Sequence, residues 1–335
     1  MASRSDGGGY DDSNRAFLQA FMARSTMTFA EARFVLAAIF SVQEGEPVPA
    51  EDVIEDDLAS YIAAANTTIS PFDLEIRSTL RQLQVDPEGP VNQTPERVYA
   101  LVNTTSDALT QLATTYSADE ISFVKRVLDA MFDKNNTRRS EGMVVSGIDA
   151  IQLAKASSGD ASRRESNNAT QSQGGAAQSL TMSQAETVLM QLVEQGWFEK
   201  SRKGFYSLSP RALMELRGWL VATYNEENED DRRMDKIKFC AACRDIITVG
   251  QRCGNRDCAG RLHNHCIRNF FRMQQAEQCP ACQAPWPGDK FVGERAITST
   301  QRPTQGGRRS MNTQRQSDIG SSTRIPSEDG AADSD

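Results

Sequence analysis

All seven cysteines of this 335-residue chain lie between Cys240 and Cys282, and both of its histidines, His263 and His265, fall in the same window. No other feature restricts the fold as much. A secreted disulfide scaffold calls for an even cysteine count and needs no histidine beside it. Seven thiolates and one imidazole make eight donors, two tetrahedral zinc sites with none left over. The series Cys240, Cys243, Cys253, Cys258, His263, Cys266, Cys279, Cys282 has the spacing C-x2-C-x9-C-x4-C-x4-H-x2-C-x12-C-x2-C. Each C-x2-C or H-x2-C pair places two donors within reach of one ion. The eight can be taken sequentially, four and four, or interleaved. Interleaving puts Cys240, Cys243, His263 and Cys266 on one Zn2+ and Cys253, Cys258, Cys279 and Cys282 on the other. It is preferred because it staples a segment too poor in apolar residues to hold a core by itself. His265 adjoins Cys266 and is badly placed to share its ion, so it is read as a surface or core residue. Sites saturated by protein donors leave no position for water, so the zinc is expected to be structural.

The rest of the chain alternates between ordered and polar stretches, as a hydrophobic fraction of 39% and a mean hydropathy of -0.52 require. Residues 1–12, rich in Gly, Ser and Asp, are expected to be disordered, as are a Ser/Gly/Gln/Asn insert at 156–180 and a tail at 291–335. Glu226–Asp231 holds five acids in six residues, within a solvated linker at 226–235. No run approaches the roughly 18 apolar residues that span a bilayer. The opening MASRSDGGGY lacks an apolar signal core, which predicts a soluble protein that is not secreted. The net charge of -8 says little about nucleic acid, because acidic linker and tail offset a basic zinc segment.

Periodicity before the zinc segment predicts an α+β chain. Phe17, Leu18, Phe21 and Met22 form a helical stripe; Thr28 and Glu31 form a capping box opening a helix through Phe40. A third helix is expected over Glu51–Ala65. Phe72, Leu74 and Ile76 alternate as a strand whose partner, after a turn at Asp86–Pro90, is Val98–Val102. Three helices and a two-stranded ribbon give a first winged-helix domain at 13–110. The order recurs at 116–225: a capping box at Ser117 and Glu120, a short helix at Gly147–Lys155, and a helix opened by Ser183 and Glu186. A hairpin from Trp197 to Leu208 follows, with a basic tip, and then a helix from Ser209-Pro210 to Tyr224. The reading is tandem winged-helix domains followed by a small C4HC3 variant RING domain at 236–290. Trp197 and Trp219 are read as core residues.

The C4HC3 series is shared by plant-homeodomain fingers and RING variants. Plant-homeodomain fingers usually carry a tryptophan two residues before the seventh ligand, where this chain has Glu277. Cys279-Pro-Ala-Cys282, Trp286-Pro287 and Arg261-Leu-His263 instead resemble the variant RING of the non-structural maintenance of chromosomes element 1 family. That family supplies the RING subunit of the structural maintenance of chromosomes 5/6 complex. Phe17-Leu18-Gln19, Tyr99-Ala-Leu-Val-Asn103 and the repeated winged-helix order extend the resemblance from about Asn14 to Gly288. It implies a nuclear protein in chromosome maintenance, DNA repair and recombination, paired with a MAGE-type subunit and joined by a kleisin subunit. It also implies ubiquitin ligase activity stimulated by the MAGE partner.

A RING ligase supplies no nucleophile; it holds a ubiquitin-charged conjugating enzyme so that a substrate lysine attacks the thioester. Carried over residue by residue, the enzyme-docking positions are Ala242, Ile267, Phe270 or Phe271, and Pro280. Ala242 is small for that role, and Gln283 stands where many RINGs place a basic residue. The bland counterpart is a non-catalytic assembly or DNA-binding-support subunit, with Phe270 or Phe271 as core. A plant-homeodomain-like chromatin reader is the third class. Lys200, Arg202 and Lys203 at the hairpin tip are candidate DNA-phosphate contacts, against an ordinary charged tip. With both histidines in the zinc segment no Ser-His or Cys-His relay is available elsewhere, and there is no G-x-G-x-x-G or Walker loop.

Overall fold

The acidic Asp11 side chain accepts the backbone N–H groups of Ser13 and Asn14 and so starts α1 (Asp12–Arg24), inside the span expected to be disordered. The computed structural model describes residues 10–84, 94–104, 115–155, 179–225 and 235–298. The turn at Asp86–Pro90 and most of 1–12, 156–180, 226–235 and 291–335 lie outside the described residues.

After α1 come β1 (Thr26–Thr28), α2 (Phe29–Glu44), α3 (Glu55–Ile69), β2 (Leu74–Leu80) and β3 (Arg97–Asn103). The strands form an antiparallel sheet in the order β1-β3-β2. The Thr28–Glu31 capping box opens α2 as expected. Phe17, Phe21, Leu36 and Leu58 are buried, and Tyr61 meets Phe17 and Phe40 edge to face at 5.4 and 5.9 Å. Phe34, in α2, is 71% exposed. α3 starts four residues later than its periodicity suggests. A 3-10 turn at Ala50–Asp52 and extended Val53 intervene. Phe72 falls in a second 3-10 turn and is exposed rather than part of the strand. The outer edge of β2 is closed at Ile76, whose N–H and C=O both bond the Asn66 amide.

The same order follows a second time, so residues 10–104 form a first unit and 115–225 a second. α4 (Ala118–Asp129) runs into a π-helical turn (Ala130–Lys134), then β4 (Val145–Ser146), α5 (Gly147–Gln152), α6 (Met182–Glu194), β5 (Phe198–Lys200) and β6 (Phe205–Leu208). Here the sheet order is β4-β6-β5. The capping box of α6 is Thr181 with Gln184, two residues before the expected Ser183 and Glu186. The helix expected from Pro210 to Tyr224 is broken at Leu216 into α7 (Pro210–Glu215) and α8 (Arg217–Tyr224). Trp197 is buried, and Trp219 packs against the same core.

The zinc segment forms β7 (Gly250–Arg252), β8 (Arg261–Leu262), α9 (Asn264–Gln274), β9 (Phe291–Val292) and α10 (Glu294–Thr298), with sheet order β8-β7-β9. The expected tail thus begins too early. Phe291 pairs with Gln251 and Val292 with Gly250, and Val292 is buried in the core of the second unit. A two-residue strand has too little pattern to be seen in sequence; its stability comes from the partner strand. Ile237 and Ile246 join the same core, so the zinc module is built onto the second unit.

Candidate metal centre

Two knuckles of the same design present the paired cysteines. In the first, Arg244 N–H bonds the Cys240 carbonyl and Cys240 N–H bonds the Asp245 carbonyl, with Arg244 in the left-handed region at φ 65°. In the second, Gln283 N–H bonds the Cys279 carbonyl and Cys279 N–H bonds the Ala284 carbonyl, with Gln283 at φ 58°. The residue after each second cysteine closes its turn. Cys253 follows β7 and Cys258 precedes β8, and the start of α9 supplies His263 and Cys266, where the helix dipole favours a thiolate.

The donors gather as Cys240, Cys243, His263, Cys266 and as Cys253, Cys258, Cys279, Cys282, with the ligand atoms in each group within 4.8 Å of one another. A tetrahedral zinc with Zn–S of about 2.3 Å wants such a spacing. Of the two pairings open in the sequence, the fold adopts the interleaved one. His263 turns Nδ1 to its group, 3.2 Å from Cys243 Sγ, and Nε2 to the Ile246 carbonyl at 3.3 Å. A carbonyl only accepts, so Nε2 carries the proton and Nδ1 is the free donor atom. His265 stacks on His263 at 5.0 Å and belongs to neither group.

Backbone donors support the sulfurs. Asn255 N–H points at Cys253 Sγ (3.4 Å), Gly260 N–H at Cys258 Sγ (3.3 Å) and His263 N–H at Cys240 Sγ (3.5 Å). The Cys282 thiol is lowered to about 7, first by the Ala284 backbone and then by the Cys253 and Cys258 sulfurs. Burial raises the Cys258 thiol to about 12 despite the Gly260 N–H. Gly260 has a steric reason: a Cβ there would lie 2.3 Å from Cys279 Sγ. Trp286 packs against the Cys253, Cys258 and Cys279 group and donates Nε1–H to Gln251 Oε1 at 2.9 Å. These residues fit two structural zinc ions. With four donors each, the ions supply cross-linking and no reactive position.

Phe270 and Pro280 line one groove of about 490 Å³, together with Phe239, Ala241 and Ala281. Ala242 is exposed in the first knuckle and Ile267 is half-buried in α9; neither lines that groove. Phe271 meets Trp286 at 5.8 Å. At the hairpin tip, Lys200 Nζ lies 5.1 Å from the Tyr206 ring, Lys203 Nζ is 3.5 Å from Glu294, and Arg202 is exposed.

Sequence reasoning missed two residues that hold the module in place, Gln82 and Glu141. Gln82 Nε2 donates to the Ile246 carbonyl at 2.7 Å, and its Oε1 accepts from Thr248 N–H and Val249 N–H, each at 2.9 Å. Glu141 sits among Arg261, Lys238 and Arg252. Burial raises its pKa, and hydrogen bonds and charge from Arg261 and Lys238 more than reverse this, lowering it to about 2. Neither residue carries a local motif, since each acts 97 or more residues away in sequence.

Residues 14–216 match the model of a family described as the Nse1 non-SMC component of the SMC5-6 complex, and residues 240–282 match a RING-like domain. The chain is 22% identical over 282 residues to a non-structural maintenance of chromosomes element 1 homolog of Rattus norvegicus, covering 84% of this chain and 86% of the relative. The Homo sapiens homolog is 22% identical over 276 residues, with 82% and 84% covered. The Saccharomyces cerevisiae element 1 is 25% identical over 172 residues, with 48% and 47% covered. In fold the chain is similar to a chain of an Nse1-Nse3-Nse4 complex, with a TM-score of 0.58, 22% identity, and 83% and 97% covered. Through residues 14–216 and the RING-like segment after them, the chain belongs to the Nse1 family of the SMC5-6 complex.

Proposed function

We propose that this chain is a RING-type ubiquitin ligase subunit of a nuclear SMC5-6 complex, acting in DNA repair and chromosome maintenance. The observation that carries this reading is the pair of saturated, interleaved donor groups beside a groove containing Phe270 and Pro280. In a ligase of this type the module positions a ubiquitin-charged conjugating enzyme and performs no bond chemistry itself. The groove supplies an apolar ring and a knuckle proline, and Ala242 and Ile267, which do not line it, complete the proposed docking set. Family membership and the fold shared with a chain of an Nse1-Nse3-Nse4 complex support assembly with a MAGE-type and a kleisin subunit. The repeated order helix, strand, helix, helix, strand, strand supports two winged-helix domains, at 13–110 and 116–225, as the docking platform. At the wing tip Lys200 and Lys203 already have partners within the chain, so phosphate contact through Arg202 is secondary to protein contact.

A non-catalytic assembly role is the second reading. It is favoured by Gln283, a neutral turn-closing residue where a basic one steadies donor ubiquitin in many RINGs. One assay separates the two: ubiquitin chain formation across a panel of conjugating enzymes, with and without the MAGE-type partner, using Cys243→Ser as control. Chains that need the partner and vanish in Cys243→Ser support the ligase. No chains with any enzyme, partner present, leave the assembly role.

A further inference from the structure

Gln82 lies just past β2 in the first unit, yet its side-chain amide is spent on the zinc module. It gives Nε2–H to the Ile246 carbonyl at 2.7 Å and takes Thr248 N–H and Val249 N–H at 2.9 Å and Thr248 Oγ1–H at 3.2 Å. The donor and acceptor ends of the amide are each matched, so its orientation is unambiguous. The Ile246 carbonyl is the same oxygen that receives His263 Nε2 at 3.3 Å. The next carbonyl along, that of Leu83, accepts from Asn264 Nδ2 at 2.8 Å, and Asn264 directly follows His263. Two consecutive residues of the first unit therefore reach the surroundings of the one imidazole donor: Gln82 through its acceptor, Leu83 through its chain neighbour.

A histidine ligand holds its metal best when its second nitrogen has a fixed acceptor, which sets tautomer and ring angle and raises donor basicity. Here the acceptor carbonyl belongs to a loop, 246–249, that the first unit pins. We propose that Gln82 is a positioning residue for the zinc site of Cys240, Cys243, His263 and Cys266, so that docking of the first unit and retention of that ion are coupled. The other site has no contact of this kind among the described residues. The coupling is reciprocal: loss of the ion loosens the loop that Gln82 grips, and separation of the first unit weakens the ion. The inference rests on the zinc sites and is independent of ligase activity.

The test uses the full-length chain loaded with zinc and a chromophoric chelator in excess, with release followed in time. The phase altered in Cys243→Ser identifies the ion bound by His263. Gln82→Glu keeps the acceptor for Thr248 and Val249 but loses the donor to Ile246. It is expected to speed that phase about tenfold or more, leaving the other unchanged. Asn264→Ala, which removes only the Leu83 contact, speeds the same phase to a smaller degree and covers the case in which Gln82→Glu folds poorly. The nitrogen-15 resonance of His263 Nε2 shifts in both variants, a change that a general loss of stability does not produce. Wild-type release from the His263 site in both variants, equal acceleration of both ions, or an unmoved Nε2 resonance overturns the proposal.

Discussion

Arg261 and Glu141, 120 residues apart, close a buried two-pronged ion pair: Arg261 Nε reaches Glu141 Oε2 at 2.7 Å and Nη2 reaches Oε1. Arg261 is fully buried, and its Nη1 donates to the Cys258 and Gly260 carbonyls, each at 2.8 Å. The guanidinium thus joins the backbone between two zinc ligands to the loop that follows the π-helical turn. Glu141 also receives Lys238 Nζ at 2.6 Å, so one carboxylate gathers cations from the start and the middle of the zinc module. Breaking such a pair costs more than the pair is worth against apolar packing, because the partner stays behind as an uncompensated charge.

Glu141→Gln is expected to destabilise the folded chain by about 3 kcal/mol or more, measured by denaturant unfolding at neutral pH. The folded-state pKa of Glu141 is depressed from 4.5 to about 2, so its stabilisation is present above the unfolded value and lost as pH falls through the folded one. The stability gap between wild type and Glu141→Gln should therefore be full above pH 4.5 and close as pH falls toward about 2. Comparing the two proteins cancels protonation of the zinc ligands, which they share.

Gly260→Ala should cost the chain one ion. The added Cβ would lie 2.3 Å from Cys279 Sγ and cannot be accommodated without displacing that ligand. Zinc content by elemental analysis is expected to fall from two ions per chain to one, with the His263 site kept. Full occupancy in Gly260→Ala would mean that the second knuckle gives way more easily than its hydrogen bonds suggest.

Chelation should be visible through Trp286. The indole packs on the Cys253, Cys258 and Cys279 group and is hydrogen-bonded to Gln251, so loss of the ion frees it to water. A red shift of tryptophan emission on chelator addition is expected, and Trp286→Phe should remove most of it. Trp197 and Trp219 sit in the core of the second unit and respond less.

Truncation after Lys290 tests the ordered segment that follows the last cysteine pair. It removes β9, which supplies buried Val292, and buried Glu294, the partner of Lys203. Loss of one buried valine with its strand pairing is expected to cost about 2–4 kcal/mol. The melting temperature of the remaining chain should drop accordingly.

What could be read in the sequence was what local chemistry enforces. Ligand identity follows from the confinement of seven cysteines and two histidines to one window, and capping boxes at Thr28 and Ser117 mark helix starts because the partners are three residues apart. The tertiary structure alone decided the rest. The two-residue strands β4 and β9 and the exposure of Phe34 depend on neighbours distant in the chain, and the interleaved pairing that the sequence favours is fixed by the fold. Gln82 at the Ile246 carbonyl and Glu141 at Arg261 are the extreme cases. Each is an ordinary polar residue whose role exists only because folding brings a buried partner within 3 Å, where water no longer competes for the bond.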